Sequence, residues 1–396
     1  MIEVYNKALD SSLNVDRILG KIEGEKPGPT VVFFGGIHGN ETSGVFAIKD
    51  ALAGINATYV KGVIYGVAGN LNALKLHKRY IKDDLNRLWT KQQIQDILQK
   101  TNLNEDELEL KELNTVLNEI LETNTPPFYF VDLHTTSSKT LPFITINDAL
   151  INRKFSEQFP VPIVLGIEEY LNGPLLSYIN QMGYVSLGFE SGQHDDFSAI
   201  TNSIAFVYLT LVYSGVLKKK AVINFSKYHE QLKMQANNTN DVFEVVYLHK
   251  INKNEHFKMI NGFNSFEHIK KGTKLAFSNT KEISAPITGS IFMPLYQKKG
   301  SEGFFIIKSI KPFFLKLSAI LRFIKTDTIL VWLPGISWIN KTEGILKVNL
   351  STAKFLAKPL FHLLGYRNKQ INSTHLSLNN RERVAKTKIY KKEPWY

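Results

Sequence analysis

The sequence predicts an α/β protein with a mostly parallel sheet flanked by helices, followed by a smaller β domain and a basic extension. The first half of the chain alternates short apolar runs with helical patterns, which is typical of βαβ units. From about Val222 the pattern changes to short apolar runs separated by Gly and Asn turns. From Ser309 onward, aromatic and apolar clusters are interspersed with Lys and Arg. We therefore predict three regions, residues 1–221, 222–308 and 309–396.

Each strand of the first region is predicted from an apolar run bounded by turn residues. The candidate strands are Thr30–Phe34, Gly62–Val67, Phe128–Leu133, Pro142–Ile146, Ile163–Leu165 and Val185–Phe189. Helices are predicted to begin near Glu41 and Lys91, and an apolar helix is predicted over Ile200–Val216. The second of these is expected to run through the acidic stretch 105–112, which is interpreted as a solvated helix face. Short strands of the second region, which ends near Ile307, are predicted at Val242–Leu248, Lys274–Ser278 and Ile291–Met293.

The composition excludes several classes of protein and of site. The 396 residues contain no cysteine, which excludes disulfides, iron–sulfur clusters and thiolate zinc sites. No run of about 18 uncharged apolar residues is present, so no transmembrane segment is predicted. Residues 1–10 lack the apolar region of a signal peptide. We therefore expect a cytoplasmic protein.

The net charge of +12 belongs to the C-terminal region. Residues 341–396 hold twelve Lys and Arg against three Glu, and residues 301–340 hold five against two acidic residues, which leaves residues 1–300 neutral. No nucleic-acid-binding motif accompanies this charge, so no nucleic-acid partner is predicted. A helix over 313–325 with Lys316, Arg322 and Lys325 beside apolar residues leaves open a peripheral contact with anionic lipid. Packing of this helix on the main body, with a mobile chain end from Asn368, is the preferred interpretation.

Two strand ends carry residue types that bind zinc. The strand at 30–34 runs into a Gly-Gly turn with His38 and Glu41, and one turn of a helix opening there would place both on the same face. The strand at 128–133 is followed by His134. Ligands bind at the carboxyl ends of strands in open α/β sheets, and two histidines with one glutamate are a common catalytic zinc set. We therefore predict one Zn²⁺ per chain, bound by His38, Glu41 and His134.

Zinc-dependent hydrolysis also needs groups that transfer protons and stabilise charge. Glu190 ends another apolar strand, where partial burial raises the pKa of a carboxyl group and suits proton transfer. Two roles are open for Asp132: it is either a hydrogen-bond partner of a metal ligand or a cap at the end of its strand. Arg79 and Arg87 lie in a charged segment, and a guanidinium can bind a carboxylate through two hydrogen bonds or stabilise an oxyanion. A simple charged loop is the alternative for that segment.

Taken together, these segments resemble the succinylglutamate desuccinylase/aspartoacylase family, whose members are relatives of zinc carboxypeptidases. The resemblance covers about residues 28–307, and the segments that match in order and spacing are 35–41 (GGIHGNE), 79–81 (RYI), 84–87 (DLNR), 132–136 (DLHTT) and 188–190 (GFE). It implies a zinc-carboxypeptidase-like catalytic domain that hydrolyses the amide bond of an N-acyl amino acid, a small-molecule substrate. It further implies that His38, Glu41 and His134 bind zinc and that Glu190 acts as general base and then general acid.

The resemblance also implies roles for the charged segment and limits what can be said of the substrate. Arg79 would polarise the scissile carbonyl, and Asn86 with Arg87 would hold a substrate carboxylate. Aspartoacylases carry a further arginine shortly before the catalytic glutamate, whereas residues 154–320 contain no arginine, so N-acetylaspartate is not predicted as the substrate.

Two alternatives remain at this point. A zinc carboxypeptidase-type peptidase should have an open groove, whereas a hydrolase of N-acyl amino acids should have a closed pocket covered by the β domain. A catalytically inactive binding module should have lost one of the four metal-binding and proton-transferring residues, yet all four are present.

Overall fold

The structure, a computed structural model, describes residues 1–349, 352, 361–370 and 375–396. Its strands, numbered in chain order, are β1 (Ile2–Asn6), β2 (Ser11–Val15), β3 (Ile18–Glu23), β4 (Lys26–Gly35), β5 (Lys61–Ala68), β6 (Phe128–Thr136), β7 (Phe143–Ile146), β8 (Ile163–Leu165), β9 (Val185–Gln193), β10 (Val242–Lys250), β11 (Phe257–Met259), β12 (His268–Ile269), β13 (Lys274–Ser278), β14 (Lys281–Ser284), β15 (Gly289–Phe292), β16 (Glu302–Ser309), β17 (Ile336–Asn340), β18 (Ile345–Asn349), β19 (Tyr366–Gln370) and β20 (His375–Asn380). Its α-helices, numbered likewise, are α1 (Ser43–Ala53), α2 (Leu71–Lys75), α3 (Lys91–Gln99), α4 (Glu105–Thr123), α5 (Leu150–Ser156), α6 (Leu175–Gln181), α7 (Phe197–Tyr213), α8 (Phe225–Gln235), α9 (Pro312–Phe323) and α10 (Arg381–Val384).

One large mixed sheet organises the main body of the protein. Among the described residues it contains eleven strands, in the spatial order β12-β15-β16-β10-β8-β7-β9-β6-β4-β5-β3. Neighbouring strands are parallel from β5 through β4 and β6 to β9, and again from β7 through β8 to β10. The remaining pairs, which include β3 with β5 and β7 with β9, are antiparallel. The predicted α/β class with a mixed sheet is confirmed, and parallel pairing is concentrated in its centre.

Helices cover both faces of the centre of this sheet. Successive side chains of a strand point to opposite faces, and the buried residues of β4 alternate accordingly. Val31 and Phe33 belong to a core cluster with α1 and α7, whereas Val32 and Phe34 belong to a cluster with α4. Because both faces are buried, the strand has a continuous apolar sequence. The six strands predicted for the first region correspond to β4–β9, and the predicted apolar helix corresponds to α7.

The second region predicted from the sequence continues the same sheet. Strands β10, β16, β15 and β12 extend it beyond β8, while β11, β13 and β14 form a separate three-stranded sheet. Apolar residues that include Leu275, Ile291 and Phe304 form a shared core between the two sheets. The short strands predicted here occur as β10, β13 and β15. The domain boundary near residue 222 stays a prediction.

The acidic segment 105–112 differs from its prediction in two ways. The single helix expected here is divided into α3 and α4, and Asn104 caps the N-terminus of α4. Asp106 and Glu109 are buried, so the interpretation of this segment as a solvated face is wrong for these two side chains. They are buried because each has fixed polar partners, which for Glu109 include an ion pair with Arg17.

The described residues of the C-terminal extension form a four-stranded sheet, in the order β17-β18-β20-β19, with an apolar cluster of its own. Its last residues pack on the main body, where the rings of Tyr390 and Trp395 contact Tyr129 of β6. The prediction of a mobile chain end from Asn368 does not fit these contacts for residues 381–396. Aromatic side chains hold that part in place, whereas the prediction of a mobile end rested on its basic charge.

Arg322 of α9 joins the extension to the main body through buried ion pairs. Its guanidinium donates to Asp148 Oδ2 at 2.6 Å and to Glu382 Oε1 at 3.2 Å. It is therefore withdrawn from any lipid surface, which removes one of the three cations on which that alternative depended. Across the part of the chain that the structure describes, no helix has the length and apolar character needed to cross a membrane.

Candidate metal centre and active-site cavity

The predicted zinc ligands lie where two neighbouring strands of the sheet end. His38 and Glu41 follow β4, and the Glu41 N–H donates to the His38 carbonyl at 3.0 Å. The expectation that they share a helical turn is wrong, because α1 begins only at Ser43 and a tight turn brings them together instead. His134 lies near the end of β6, which runs parallel to β4. The three side chains therefore meet at the carboxyl edge of the sheet, where ligands bind in such folds.

The three side chains offer donor atoms suited to one divalent cation. His38 Nδ1 lies 2.9 Å from Glu41 Oε1, and His134 Nδ1 lies 2.9 Å from Glu41 Oε2. All three residues are buried, and one donor atom from each lies within 4.8 Å of the others. Burial opposes ionisation of Glu41, but the facing imidazoles hold its pKa well below the usual range. The glutamate is therefore ionised, as a carboxylate ligand must be.

A carboxylate holds the second ring nitrogen of each histidine. His38 Nε2 lies 3.1 Å from Asp84 Oδ1, and His134 Nε2 lies 2.7 Å from Asp132 Oδ2. Metal-binding histidines commonly donate this N–H to a carboxylate, which fixes the tautomer and the orientation of the ring. The contact with His134 favours the hydrogen-bond partner over the strand-end cap for Asp132. Two oriented imidazoles and one carboxylate fit a divalent ion such as zinc.

Arg79 reaches the same centre from the loop that follows α2. Its Nη1 donates to Glu41 Oε1 at 3.2 Å, and its Nη2 donates to Asp84 Oδ2 at 3.3 Å. Asp84 therefore orients both His38 and Arg79, a contribution that no pattern in the sequence indicates. The guanidinium lines the cavity beside the candidate metal ligands.

Asp106 holds the segment that carries the two arginines. Its carboxylate accepts the backbone N–H groups of Lys82 at 2.6 Å and Asp83 at 2.9 Å, and the side-chain amide of Asn70 at 2.7 Å. Because the carboxylate is buried, water competes little for these bonds. No sequence pattern marks the contact, since the partners are 23 to 36 positions away along the chain.

Glu190 faces the candidate metal ligands from the neighbouring strand β9. In the parallel pairing of β6 and β9 it lies opposite His134. The side chain is buried, and its Oε2 atom has no hydrogen-bond partner among the described residues. Burial raises the pKa of Glu190 to about 8, and the carboxylates of Glu41 and Asp132 act in the same direction against the opposing effect of His134. Glu190 therefore leaves one buried carboxyl oxygen without a protein partner at the candidate site.

Asn86 and Arg87 also line the cavity, and both have fixed partners. Asn86 Oδ1 accepts the Leu175 N–H at 2.9 Å, which ties this segment to the start of α6. Arg87 Nη1 donates to the Asn86 carbonyl at 2.9 Å, and its Nη2 lies 3.2 Å from Glu302 Oε1. The structure thus places the predicted carboxylate-binding arginine in the cavity, beside an acidic residue of the second region.

The second region supplies part of the cavity wall. Several residues of the segment 293–305, called the cover below, line the cavity, among them Leu295 and Gln297. Among the polar contacts that attach this cover to the first region, two involve neighbours of site residues. The Asn40 amide donates to Gln297 Oε1 at 2.9 Å, and Lys299 Nζ donates to the Tyr80 carbonyl at 2.7 Å. The second region therefore contributes part of the cavity wall.

Among the lining residues with no role predicted from the sequence are Thr135, His194 and Glu168. Thr135 Oγ1 lies 2.8 Å from Nδ1 of His194, and burial lowers the pKa of this histidine, so its ring is neutral. Glu168 lies 2.6 Å from Nη2 of Arg381, which places a residue of the extension directly behind the cavity wall. The extension therefore supports the pocket, and the large separation of this pair in sequence left no local signal for it.

Comparison with known proteins finds a family model that matches much of the first region. Residues 27–207 match the model of the succinylglutamate desuccinylase/aspartoacylase catalytic domain, which confirms the resemblance noted in the sequence. This range contains every site residue predicted from the sequence. No curated protein sequence matches the chain significantly.

Several solved structures share the fold. A succinylglutamate desuccinylase/aspartoacylase from Rhodobacter sphaeroides superposes with a TM-score of 0.56 at 17% identity, over 73% of this chain and 88% of that chain. The product-bound ectoine utilization protein EutE (DoeB) from Ruegeria pomeroyi has a TM-score of 0.54 at 16% identity, over 73% and 87%. An aspartoacylase family protein from Mesorhizobium loti has a TM-score of 0.51 at 16% identity, over 78% and 93%. At these identities the likeness concerns the fold alone.

Proposed function

We propose that this protein, whose residues 27–207 form a catalytic domain of the succinylglutamate desuccinylase/aspartoacylase family, is a zinc-dependent hydrolase of N-acyl amino acids. The reaction would add water across a linear amide bond and release a carboxylic acid and an amino acid. One observation carries the proposal: His38, Glu41 and His134 converge at a cavity that Glu190 also lines.

The two histidines and Glu41 would hold the metal. A bound zinc ion would supply Lewis-acid polarisation of the acyl carbonyl and would acidify water. Asp84 and Asp132 keep Nδ1 of each histidine directed at the centre through hydrogen bonds to Nε2. Asp84 also holds Arg79, so one carboxylate aligns a metal ligand with the arginine proposed to act on the carbonyl.

Glu190 is proposed to move the proton of the reaction. In its ionised form, Glu190 would accept a proton on Oε2 from the attacking water and return it to the nitrogen of the leaving amine, so that it acts first as a base and then as an acid. The guanidinium of Arg79 would stabilise negative charge on the carbonyl oxygen. Arg87, placed by Asn86, would bind the α-carboxylate of the amino acid.

The cover over the cavity favours an N-acyl amino acid over a peptide as substrate. A carboxypeptidase must admit an extended chain upstream of the scissile bond, which requires an open groove. Here the contacts of Asn40 with Gln297 and of Lys299 with Tyr80 attach the second region across the cavity. A small acyl group and one amino acid would fit beneath this cover, whereas a longer chain would have to displace it.

The experiment that tests the proposal compares two sets of substrates at equal concentration. Release of a primary amine is measured from a panel of N-acyl amino acids and from peptides of four residues with the same C-terminal amino acids. We expect release from the N-acyl amino acids and little from the peptides. Faster release from the peptides would support the peptidase instead, and release from neither set would favour the binding module. A cytoplasmic location stays a prediction.

A further inference from the structure

Glu302, the first residue of β16, lies beside the arginine proposed to hold the substrate. Arg87 Nη2 is 3.2 Å from Glu302 Oε1, and both side chains are largely shielded from solvent. Burial opposes ionisation of Glu302, but Arg87 holds its pKa below the usual range, so it carries a negative charge. The guanidinium expected to bind a substrate carboxylate therefore already faces a carboxylate of the protein.

The backbone around Glu302 fixes its position. The N–H of Ile251 donates to the Ser301 carbonyl at 2.8 Å, and the N–H of Leu295 donates to the Gly303 carbonyl at 2.9 Å. The Ser301 hydroxyl donates to Glu302 Oε1 at 2.7 Å. Because the residues on both sides of Glu302 are hydrogen-bonded to neighbouring segments, Glu302 has a fixed position in the cavity wall.

The charges of the cavity leave no unopposed cation for a second substrate carboxylate. Among the described residues that line it, the arginines are Arg79 and Arg87, and there is no lysine. Arg79 donates to two carboxylates of the metal centre. Glu168 adds a further carboxylate to the wall, and its ion pair with Arg381 lies behind the cavity.

We propose that Glu302 determines specificity, so that the cavity accepts N-acyl amino acids with an uncharged or cationic side chain and rejects those of aspartate and glutamate. The proposal rests on the proposed function and names the substrate class for the same site. The α-carboxylate, present in every such substrate, would bind Arg87. A carboxylate on the side chain would meet the negative charge of Glu302 in a partly desolvated site, where like charges repel strongly, whereas an ammonium group would be attracted.

The test measures kcat/KM of the zinc-loaded full chain for N-acyl derivatives of methionine, lysine (acylated on the α-nitrogen), aspartate and glutamate. Each amino acid is supplied with an acetyl and with a succinyl group. Three proteins are compared: the unaltered chain, Glu302→Gln and the control Glu282→Gln. The control removes the same charge from an exposed side chain of the same region, which pairs only with the surface residue Lys274 among the described ion pairs.

We expect the unaltered chain to prefer the methionine and lysine derivatives. In Glu302→Gln, the ratio of kcat/KM for glutamate to that for methionine should rise at least about tenfold, because the like charge is gone, while the ratio for lysine to methionine should fall. The control should leave both ratios unchanged. Equal ratios in all three proteins, or a preference of the unaltered chain for aspartate or glutamate derivatives, would overturn the assignment of Glu302 alone. Absence of hydrolysis of every derivative by every protein would refute the proposed function itself.

Discussion

Replacement of Arg322 by methionine should destabilise the protein strongly, because this side chain joins the extension to the main body. The guanidinium is 1% exposed and donates to Asp148 Oδ2 at 2.6 Å, to the Asp148 carbonyl at 2.7 Å and to Glu382 Oε1 at 3.2 Å. It also donates to the carbonyls of His362 and Leu363, at 3.0 and 3.2 Å. Methionine preserves much of the apolar stem but supplies none of these donors.

The magnitude follows from the burial of the partners that remain. Removal of one partner of a buried ion pair leaves an uncompensated charge and costs about 3–5 kcal/mol. Lys316 lies on the same helix with an exposed side chain, and Lys316→Met should change the free energy of unfolding by no more than about 0.5 kcal/mol. Arg322→Lys should be intermediate, since lysine keeps the charge but cannot reproduce the planar set of donors.

Urea unfolding followed by tryptophan fluorescence is a suitable assay. Of the four tryptophans, Trp332, Trp338 and Trp395 lie in the extension, so the signal reports mainly on this region. A free energy of unfolding for Arg322→Met within about 0.5 kcal/mol of that for Lys316→Met would refute the reasoning, because a buried and fully bonded guanidinium cannot be removed so easily.

Three further predictions concern the site and its supports. Glu190→Gln should retain zinc but lose about 10²- to 10⁴-fold in kcat, and full turnover in this variant would remove Glu190 from the mechanism. Asp106→Ala should release the backbone at 82–83 and displace Arg79 and Arg87, which should lower kcat/KM. An unchanged kcat/KM would contradict this prediction. Arg153 and Arg322, against the opposing effect of burial, hold the pKa of Asp148 well below its usual range. The contribution of ionised Asp148 to stability is therefore present above the unfolded pKa of about 3.9 and is lost as the pH falls below that value. Asp148→Asn should lower the free energy of unfolding at pH 7 and should reduce its loss between pH 7 and pH 3, as measured by urea titrations at both pH values.

The part of the site that lies at strand ends could be predicted from the sequence. A buried parallel strand is a continuous apolar run, and its end is visible as the first polar residues after it. Because carboxyl ends of parallel strands meet at one edge, residues nearly one hundred positions apart, such as Glu41 and His134, could be expected to meet; their separation is 93 positions. The helical turn expected between His38 and Glu41 was wrong in detail, yet a tight turn produces the same proximity.

Contacts that depend on tertiary packing could not be predicted in this way. Asp106 has the appearance of a solvated residue in an acidic helix, and only the loop folded against it makes it a buried acceptor. Glu302 lies 215 positions beyond Arg87, and no periodicity connects the two. In the extension, the surrounding basic residues predict a mobile chain end, whereas the burial of Tyr390 and Trp395 decides where that end packs.

The central claim is that a zinc ion held by His38, Glu41 and His134 is required for hydrolysis of an N-acyl amino acid. The most direct measurement determines zinc per chain by elemental analysis and, on the same sample, amine release before and after chelation, with His134→Ala alongside. We predict one zinc per chain, release that the chelator abolishes and restored zinc recovers, and loss of both zinc and release in the variant. Amine release that persists without metal, or zinc that stays bound at one per chain in His134→Ala, would contradict the account.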